Sequence, residues 1–302
     1  MFWFRVYLAL CVFAPLSFAA EYVGSDVCKT CHPDIWSTFY RNPHYKSLAS
    51  GKEAPENTGC ESCHGPGQAH VEARGGKATI IAFSELSPAK TLDACLRCHG
   101  QTLARANIRR SVHMQEDVVC TNCHSIHKSP APKFLLAKRQ TDLCYSCHST
   151  VRAQFAMPFK HRVNEGVVEC TDCHNPHGAF APTTRMASRP RMVDQAEGNE
   201  EPCLKCHSDK RGPFVYEHAA IRVEGCESCH KPHGSTNTRL LKEPRIATIC
   251  LECHNGMPGF GRRDTNIVHL DSTHNMADPR YQNCTTCHPK IHGSNVDAYF
   301  MR

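Results

Sequence analysis

The chain has 302 residues, including 21 cysteines and 21 histidines, and its 35 basic and 29 acidic residues give a formal net charge of +6. Mean hydropathy is −0.45, and cysteine accounts for much of the hydrophobic fraction. Such a composition excludes an ordinary core built from apolar side chains alone. No basic run is interleaved with aromatics, so nucleic acid is not predicted as a partner.

The first twenty residues have the pattern of an export signal. One basic residue, Arg5, precedes an apolar run that ends in the small-residue pattern Ser17-Phe18-Ala19. We therefore predict a signal peptide over residues 1–19 and a single mature domain over residues 20–302. The run is too short to predict a membrane span. A lipoprotein anchored at Cys11 is the alternative, although Leu10 is bulky where lipidation needs a small residue.

The mature chain repeats the motif Cys-x-x-Cys-His ten times. This motif attaches c-type haem, because its two thiols form thioethers with the porphyrin and its histidine binds the iron. A zinc ribbon also pairs cysteines at this spacing, but zinc does not require a histidine after every second cysteine. The cysteines are Cys28, Cys31, Cys60, Cys63, Cys95, Cys98, Cys120, Cys123, Cys144, Cys147, Cys170, Cys173, Cys203, Cys206, Cys226, Cys229, Cys250, Cys253, Cys284 and Cys287. The motif histidines are His32, His64, His99, His124, His148, His174, His207, His230, His254 and His288.

Ten covalently bound haem c groups, each with one iron, are therefore predicted. The motifs use every cysteine of the mature chain, so no disulfide is expected. With fewer than thirty residues for each haem, the porphyrins must supply most of the core. We predict a multihaem cytochrome c that is mostly loop with short α-helices and little β-structure. Its ten haems should form an elongated chain, and export indicates the periplasm.

The motif spacing divides the mature chain into five two-haem repeats, at about 20–75, 76–130, 131–180, 181–235 and 236–302. Odd-numbered motifs lie in helix-like surroundings, where Thr91 and Thr141 are predicted N-caps. Even-numbered motifs end in turn residues. The linkers that begin at Phe134 and Arg239 lie at equivalent places in their repeats. The connections 71–90 and 179–201 are predicted loops.

The repeats also account for the histidines outside the motifs. Each repeat contributes one histidine before its even motif and one after it, and these ten are predicted distal iron ligands: His44, His70, His113, His127, His161, His177, His218, His233, His274 and His292. His269 is left over and could exchange roles with His274. Two axial histidines make an iron six-coordinate, low-spin and low in potential, without a vacant position for a substrate. An electron-transfer protein is thus predicted rather than an enzyme; methionine ligation is the minor alternative.

Tether length restricts which iron some distal histidines can reach. His127 follows His124 by three residues, so the connecting chain spans at most ~11 Å. That is too short to pass round a porphyrin to its opposite face. His127, His177, His233 and His292 are therefore predicted to bind a neighbouring haem. His70 differs, because it follows His64 by six residues in a Gly-Pro-Gly loop.

The ten motifs, the signal peptide and the C-x-x-C-H-x-P-H-G turns at Cys170 and Cys226 resemble the DmsE/MtrA family of periplasmic decahaem cytochromes. The similarity covers the whole mature chain, and segments 60–70 and 239–252 are particularly alike. The resemblance implies an elongated haem wire associated with the outer membrane and inserted into a porin-like β-barrel protein. It also implies electron transfer between periplasmic or inner-membrane donor cytochromes and an extracellular multihaem cytochrome or reductase. A soluble periplasmic shuttle, a multihaem reductase with one labile ligand and a haem filament are the alternatives.

Overall fold

The computed structural model describes residues 21–102, 105–130, 134–178, 202–254 and 278–302. The predicted signal peptide, Cys11, the 179–201 connection, His269 and His274 lie outside these ranges.

Short helices joined by loops make up the described residues. The α-helices are α1 (Ser25–Cys28), α2 (Pro33–Phe39), α3 (Tyr45–Ser50), α4 (Glu61–His64), α5 (Gln68–Glu72), α6 (Pro88–His99), α7 (Val112–Gln115), α8 (Cys120–Cys123), α9 (Gln140–Tyr145), α10 (Ser149–Gln154), α11 (Cys170–Cys173), α12 (Ala219–Val223) and α13 (Ile246–Leu251). The 3₁₀ helices are Pro55–Asn57, Lys77–Thr79, Phe83–Glu85, Ile108–Arg110, Pro202–Lys205, Ser208–Lys210, Cys226–Ser228, Thr238–Leu240, Pro279–Tyr281 and Cys284–Thr286.

The β-structure in these ranges consists of isolated bridges, so the predicted mostly-loop fold with short helices is confirmed. Among the described helices, none is long and apolar enough to cross a bilayer.

Each motif forms one turn of helix that places its thiols and its histidine together. In nine motifs the histidine N–H donates to the carbonyl of the first cysteine at 2.8–3.0 Å, as from His124 to Cys120. The tenth motif is the end of α6, which closes at His99. Because residues four apart lie on the same helical face, both sulfurs and the imidazole can reach one porphyrin.

The predicted N-caps are wrong at both threonines. Helix α6 begins at Pro88, a residue favoured in the first turn, and the Ser87 hydroxyl accepts from the Lys90 N–H at 3.4 Å. Thr91 is therefore inside the helix and buried. Thr141 is likewise buried in the first turn of α9, after Arg139 at the N-cap. Both threonines pack inward instead of capping.

The predicted equivalence of two linkers is confirmed by their contacts. Leu136 forms a β-bridge with His124, and Leu241 forms the matching bridge with His230. The chain enters each bridge through left-handed residues, with φ of 67° at Phe134 and 57° at Arg239. Residues other than glycine adopt a left-handed backbone conformation at a cost of about 1 kcal/mol or more. The contacts of the bridge must therefore hold the backbone in this conformation.

The described residues cluster into two compact units. The first contains the described residues up to 94 together with 126–128, and the second contains 95–125 and the described residues from 129 onward. Phe39 is buried in the first unit, as is Leu92, which is 1% exposed. In the second unit the buried hydrophobic residues are Ile108, Leu135, Phe155, Val163, Ala247 and Ile249. So few buried side chains agree with a core that requires the cofactor.

The haem-free protein should consequently be unfolded. A variant with every motif cysteine changed to serine keeps the side chains above but loses the porphyrins, and we expect circular dichroism to show little helix. The holoprotein, measured in the same buffer, is the control. A cooperative thermal transition in the serine variant would contradict the prediction.

Candidate haem-binding sites

Eight of the ten motif histidines lie beside a histidine from outside the motifs. The two ring centres are 5.8–6.3 Å apart in every case. The outside member is always one of the predicted distal ligands. With the motif histidine first, the pairs are His32 and His70, His64 and His127, His124 and His177, His148 and His113, His174 and His233, His207 and His161, His230 and His292, and His254 and His218.

This separation fits an iron atom bound between the two rings. A metal–imidazole bond is about 2 Å long and the nitrogen lies about 1 Å from its ring centre, so rings on opposite sides of one metal have centres about 6 Å apart. Rings in face-to-face van der Waals contact would be only about 4 Å apart. The pairs therefore fit the two axial positions of a haem iron.

Most pairs join neighbouring repeats. His127 lies beside His64 of the preceding repeat, although His124 is only three residues away in the sequence. Three further histidines that follow an even motif also lie beside an even-motif histidine of the preceding repeat: His177, His233 and His292.

The histidines that precede an even motif have the opposite relation. They lie beside the odd-motif histidine of the following repeat: His113, His161 and His218. His70 follows an even motif but fits neither pattern, because it lies beside His32, the odd-motif histidine of its own repeat.

In seven of the eight pairs, one imidazole is fixed by a hydrogen bond from its Nδ1 atom to a carbonyl oxygen. The bonds are His70 to Gly76, His64 to Ile81, His113 to Pro176, His124 to Phe134, His161 to Pro232, His230 to Arg239 and His233 to the side chain of Gln154. In the eighth pair, the His218 ring bonds to the backbone of Ile291. A carbonyl oxygen only accepts, so the ring proton must be on Nδ1. The lone pair of Nε2 is then available for a metal, as in other histidine sites oriented by a carbonyl.

Burial also favours the ligating form of the imidazoles. Desolvation lowers the pKa of five distal histidines below the ordinary value: His127, His177, His218, His233 and His292. A lower pKa keeps an imidazole neutral at physiological pH, and the neutral form is the one that binds a metal.

In four of the repeats, the first cysteines of the two motifs are in contact. Hydrogen bonding from Cys28 lowers the pKa of the Cys60 thiol to about 6, and Cys144 lowers that of Cys170 to about 7. The same contact joins Cys95 to Cys120 and Cys250 to Cys284. The attachment points of two successive haems are therefore side by side.

Glu61 supports the first histidine pair from within its motif. This carboxylate is 4% exposed and accepts three backbone N–H groups: those of Val23 and Gly67 at Oε1, at 2.9 and 2.7 Å, and that of Gly24 at Oε2, at 2.8 Å. Gly67 is the N-cap of α5, the helix that carries His70. Glu61 thus fixes both the segment at Val23 and Gly24 and the segment that bears His70.

The glycines that follow His177 and His233 are required by close packing. A Cβ atom at Gly234 would lie 2.0 Å from the carbonyl oxygen of Gln154, and one at Gly178 would lie 2.8 Å from that of Asn107. No side chain fits there without a shift of the backbone, which would carry His233 or His177 away from its partner.

We expect Gly234→Ala to separate His233 from His174 and to leave one haem high-spin in electron paramagnetic resonance. Gly166→Ala is the control, because its Cβ meets nothing within 4 Å, although its φ of 74° carries a modest cost. A Gly234→Ala protein with the wild-type low-spin spectrum would contradict the expected displacement.

For the motif histidines His99 and His288, the sequence does not say which distal histidine binds the same iron. His44 bonds through Nδ1 to the Asn42 side chain at 2.9 Å. His288 bonds through Nδ1 to the Tyr299 carbonyl at 2.5 Å. Because His274 lies outside the described residues, the distal ligands for His99 and His288 stay predictions.

Comparisons with known proteins agree with these sites. Residues 112–153, 161–212 and 218–259 match the family described as doubled CXXCH motif, and residues 69–125 match cytochrome c554 and c-prime. The multiheme cytochrome MtrA of Shewanella baltica (strain OS185) is 32% identical over 280 residues, which cover 90% of this chain and 79% of that protein.

Repeated attachment motifs, paired histidines and these matches define a multihaem c-type cytochrome, a class of haem-binding electron-transfer protein. At this level of identity and coverage, the chain belongs to the MtrA/DmsE family of multihaem cytochromes.

Proposed function

We propose that the protein is a periplasmic cytochrome with ten bis-histidine haems, which conducts electrons across the outer membrane inside a β-barrel partner. The eight histidine pairs carry the first part of this proposal, since their ring separation suits an iron with both axial positions filled. When bound, each haem iron accepts and donates single electrons. Filled axial positions leave no vacant site for a substrate, so the proposed role is transfer and not catalysis.

The connections between sites support conduction from haem to haem. Within a repeat, contacting cysteines such as Cys144 and Cys170 attach successive haems at adjacent points. Between repeats, a histidine such as His233 lies beside the motif histidine of its neighbour, so each repeat helps to hold the next haem. Such links favour short distances between haems along the chain.

A barrel partner follows from the family and from the polarity of the chain. Ten haems in a row would exceed the ~30 Å thickness of a bilayer core. The exposed backbone of a loop-rich chain could not lie in lipid, so crossing requires a protein sheath. Donor cytochromes on the periplasmic side and an extracellular multihaem cytochrome or reductase would complete the path. Its direction is set by whichever end is more oxidising.

The decisive experiment is a pull-down of tagged holoprotein from outer membranes in mild detergent. We expect a near-stoichiometric β-barrel protein by mass spectrometry. A tagged variant with all motif cysteines changed to serine is the control for nonspecific capture. Recovery of the cytochrome alone from the soluble periplasmic fraction would contradict the conduit and favour a shuttle to a terminal reductase. A stoichiometric high-spin haem in the oxidised protein would instead favour a reductase.

A further inference from the structure

Gln154 differs from the other groups that fix the paired histidines. Its side-chain Oε1 accepts from Nδ1 of His233 at 2.8 Å, whereas the other six Nδ1 acceptors described for the pairs are backbone carbonyls. A backbone carbonyl is the same in every sequence. A side-chain acceptor can be strengthened, weakened or removed by a change of residue, so this position offers a specific means of adjusting one site.

The surrounding contacts hold Gln154 firmly against the ligand loop. Gln154 ends α10, and its carbonyl oxygen packs where a Cβ of Gly234 would be. The next residue, Phe155, is 6% exposed and its ring centre lies 5.1 Å from that of His233. The Asn164 side chain donates to the Phe155 carbonyl at 3.0 Å, which fixes the end of the helix. The acceptor is thus presented by packed structure rather than by a free loop.

We propose that Gln154 is a positioning residue that sets the reduction potential of the haem held by His174 and His233. This inference rests on the proposed axial ligation by those two histidines. A hydrogen bond accepted from Nδ1 makes the imidazole a stronger electron donor to a metal at Nε2. Stronger donation stabilises ferric over ferrous iron and lowers the potential. With the neutral amide of Gln154 as acceptor, the imidazole donates less electron density to the iron than it would with a carboxylate acceptor, and more than it would with no acceptor.

Two substitutions should move the potential of this one haem in opposite directions. In Gln154→Glu a carboxylate accepts a charge-assisted bond, and we expect the ferric form of one haem to be favoured by about tenfold, a shift of about 59 mV to lower potential for a one-electron couple. In Gln154→Leu the Nδ1 proton loses its acceptor, and one haem should shift to higher potential. The measurement is a spectroscopic redox titration of the holoprotein, with electron paramagnetic resonance to verify that all haems stay low-spin.

Gln140→Lys is the control for a change of one charge near the same haem. The Gln140 side chain donates to Thr171 at 3.0 Å and to the Glu169 carboxylate at 3.1 Å, beside the attachment cysteines of this haem, and a lysine can keep the bond to Glu169. We expect Gln140→Lys to shift the titration to higher potential, and by much less than Gln154→Glu shifts it to lower potential. Shifts of equal size in these two variants would mean that nearby charge alone explains the effect, and would overturn the role of Gln154.

A double variant separates this role from the ligation on which it rests. His233→Met should raise the potential of one haem, and adding Gln154→Glu should then have no further effect, because the Nδ1 donor is gone. If His233→Met raises one potential but both Gln154 variants titrate like the wild type, Gln154 has no such role and ligation stands. If His233→Met leaves the titration unchanged, the ligation and this inference both fail.

Discussion

We expect His177→Met to raise the midpoint potential of one haem by on the order of 0.2 V, within the ~0.8 V range that axial ligands control. His177 lies beside His124 with ring centres 6.2 Å apart and planes only 9° from parallel. A thioether donates less electron density to ferric iron than an imidazole, so the ferrous form gains stability. The other nine haems should titrate as in the wild type.

His269→Met is the control for this substitution, because the repeat leaves His269 without an iron. It should titrate like the wild type. An unaltered titration of the His177 variant would contradict the ligand assignment, whereas a shift in the His269 variant would mean that His269 and His274 have exchanged roles.

The altered haem should also slow conduction through the chain. A haem whose potential is 0.2 V more positive than that of its neighbours stabilises its added electron by about 4.6 kcal/mol. Transfer of this electron to the next haem is then slower by about 10³-fold. Vesicles that contain the cytochrome and its barrel partner, with an impermeant reductant outside and a redox dye inside, would measure this flux. Normal flux with a shifted potential would indicate a path that bypasses the haem.

The class of protein could be predicted from sequence because covalent haem attachment requires a local motif. Two thiols and an imidazole must lie on one helical turn, so the five residues from Cys120 to His124 contain the complete signal. Short-range chain geometry was also informative. The three-residue tether of His127 predicted a neighbouring haem, and the structure places its ring beside His64.

The groups that hold the ligands could not be predicted, because they come from distant segments. Gln154 is 79 residues from His233, and no motif marks it. Glu61 lies in the phrase Cys-Glu-Ser-Cys-His, which recurs unchanged at Glu227, yet Glu61 is buried and Glu227 is exposed. Glu61 is covered by the segment at Val23, whose N–H donates to its carboxylate. The N-cap prediction was wrong for a related reason, because burial of Thr91 outweighed its preference for the N-cap position.

Removal of the Glu61 carboxylate should therefore destabilise the pairing of His70 with His32. In Glu61→Ala the amides of Val23, Gly24 and Gly67 lose their acceptor in a buried site, at a total cost on the order of 4 kcal/mol. Because Gly67 begins the helix that carries His70, we expect this histidine to leave His32 and one haem to become high-spin in electron paramagnetic resonance. The thermal midpoint should fall by several degrees.

Two further variants separate this support from the mere loss of a charge. Glu61→Gln removes the charge but keeps one oxygen for Val23 and Gly67, so it should retain a low-spin spectrum with a smaller fall in thermal midpoint. Glu227→Ala removes the same residue from the exposed copy of the phrase and should leave both measurements unchanged. Since Glu61 accepts from the N–H of Gly67, the N-cap of α5, a low-spin Glu61→Ala protein would mean that other contacts, such as the bond from His70 to the Gly76 carbonyl, suffice to hold the ligand.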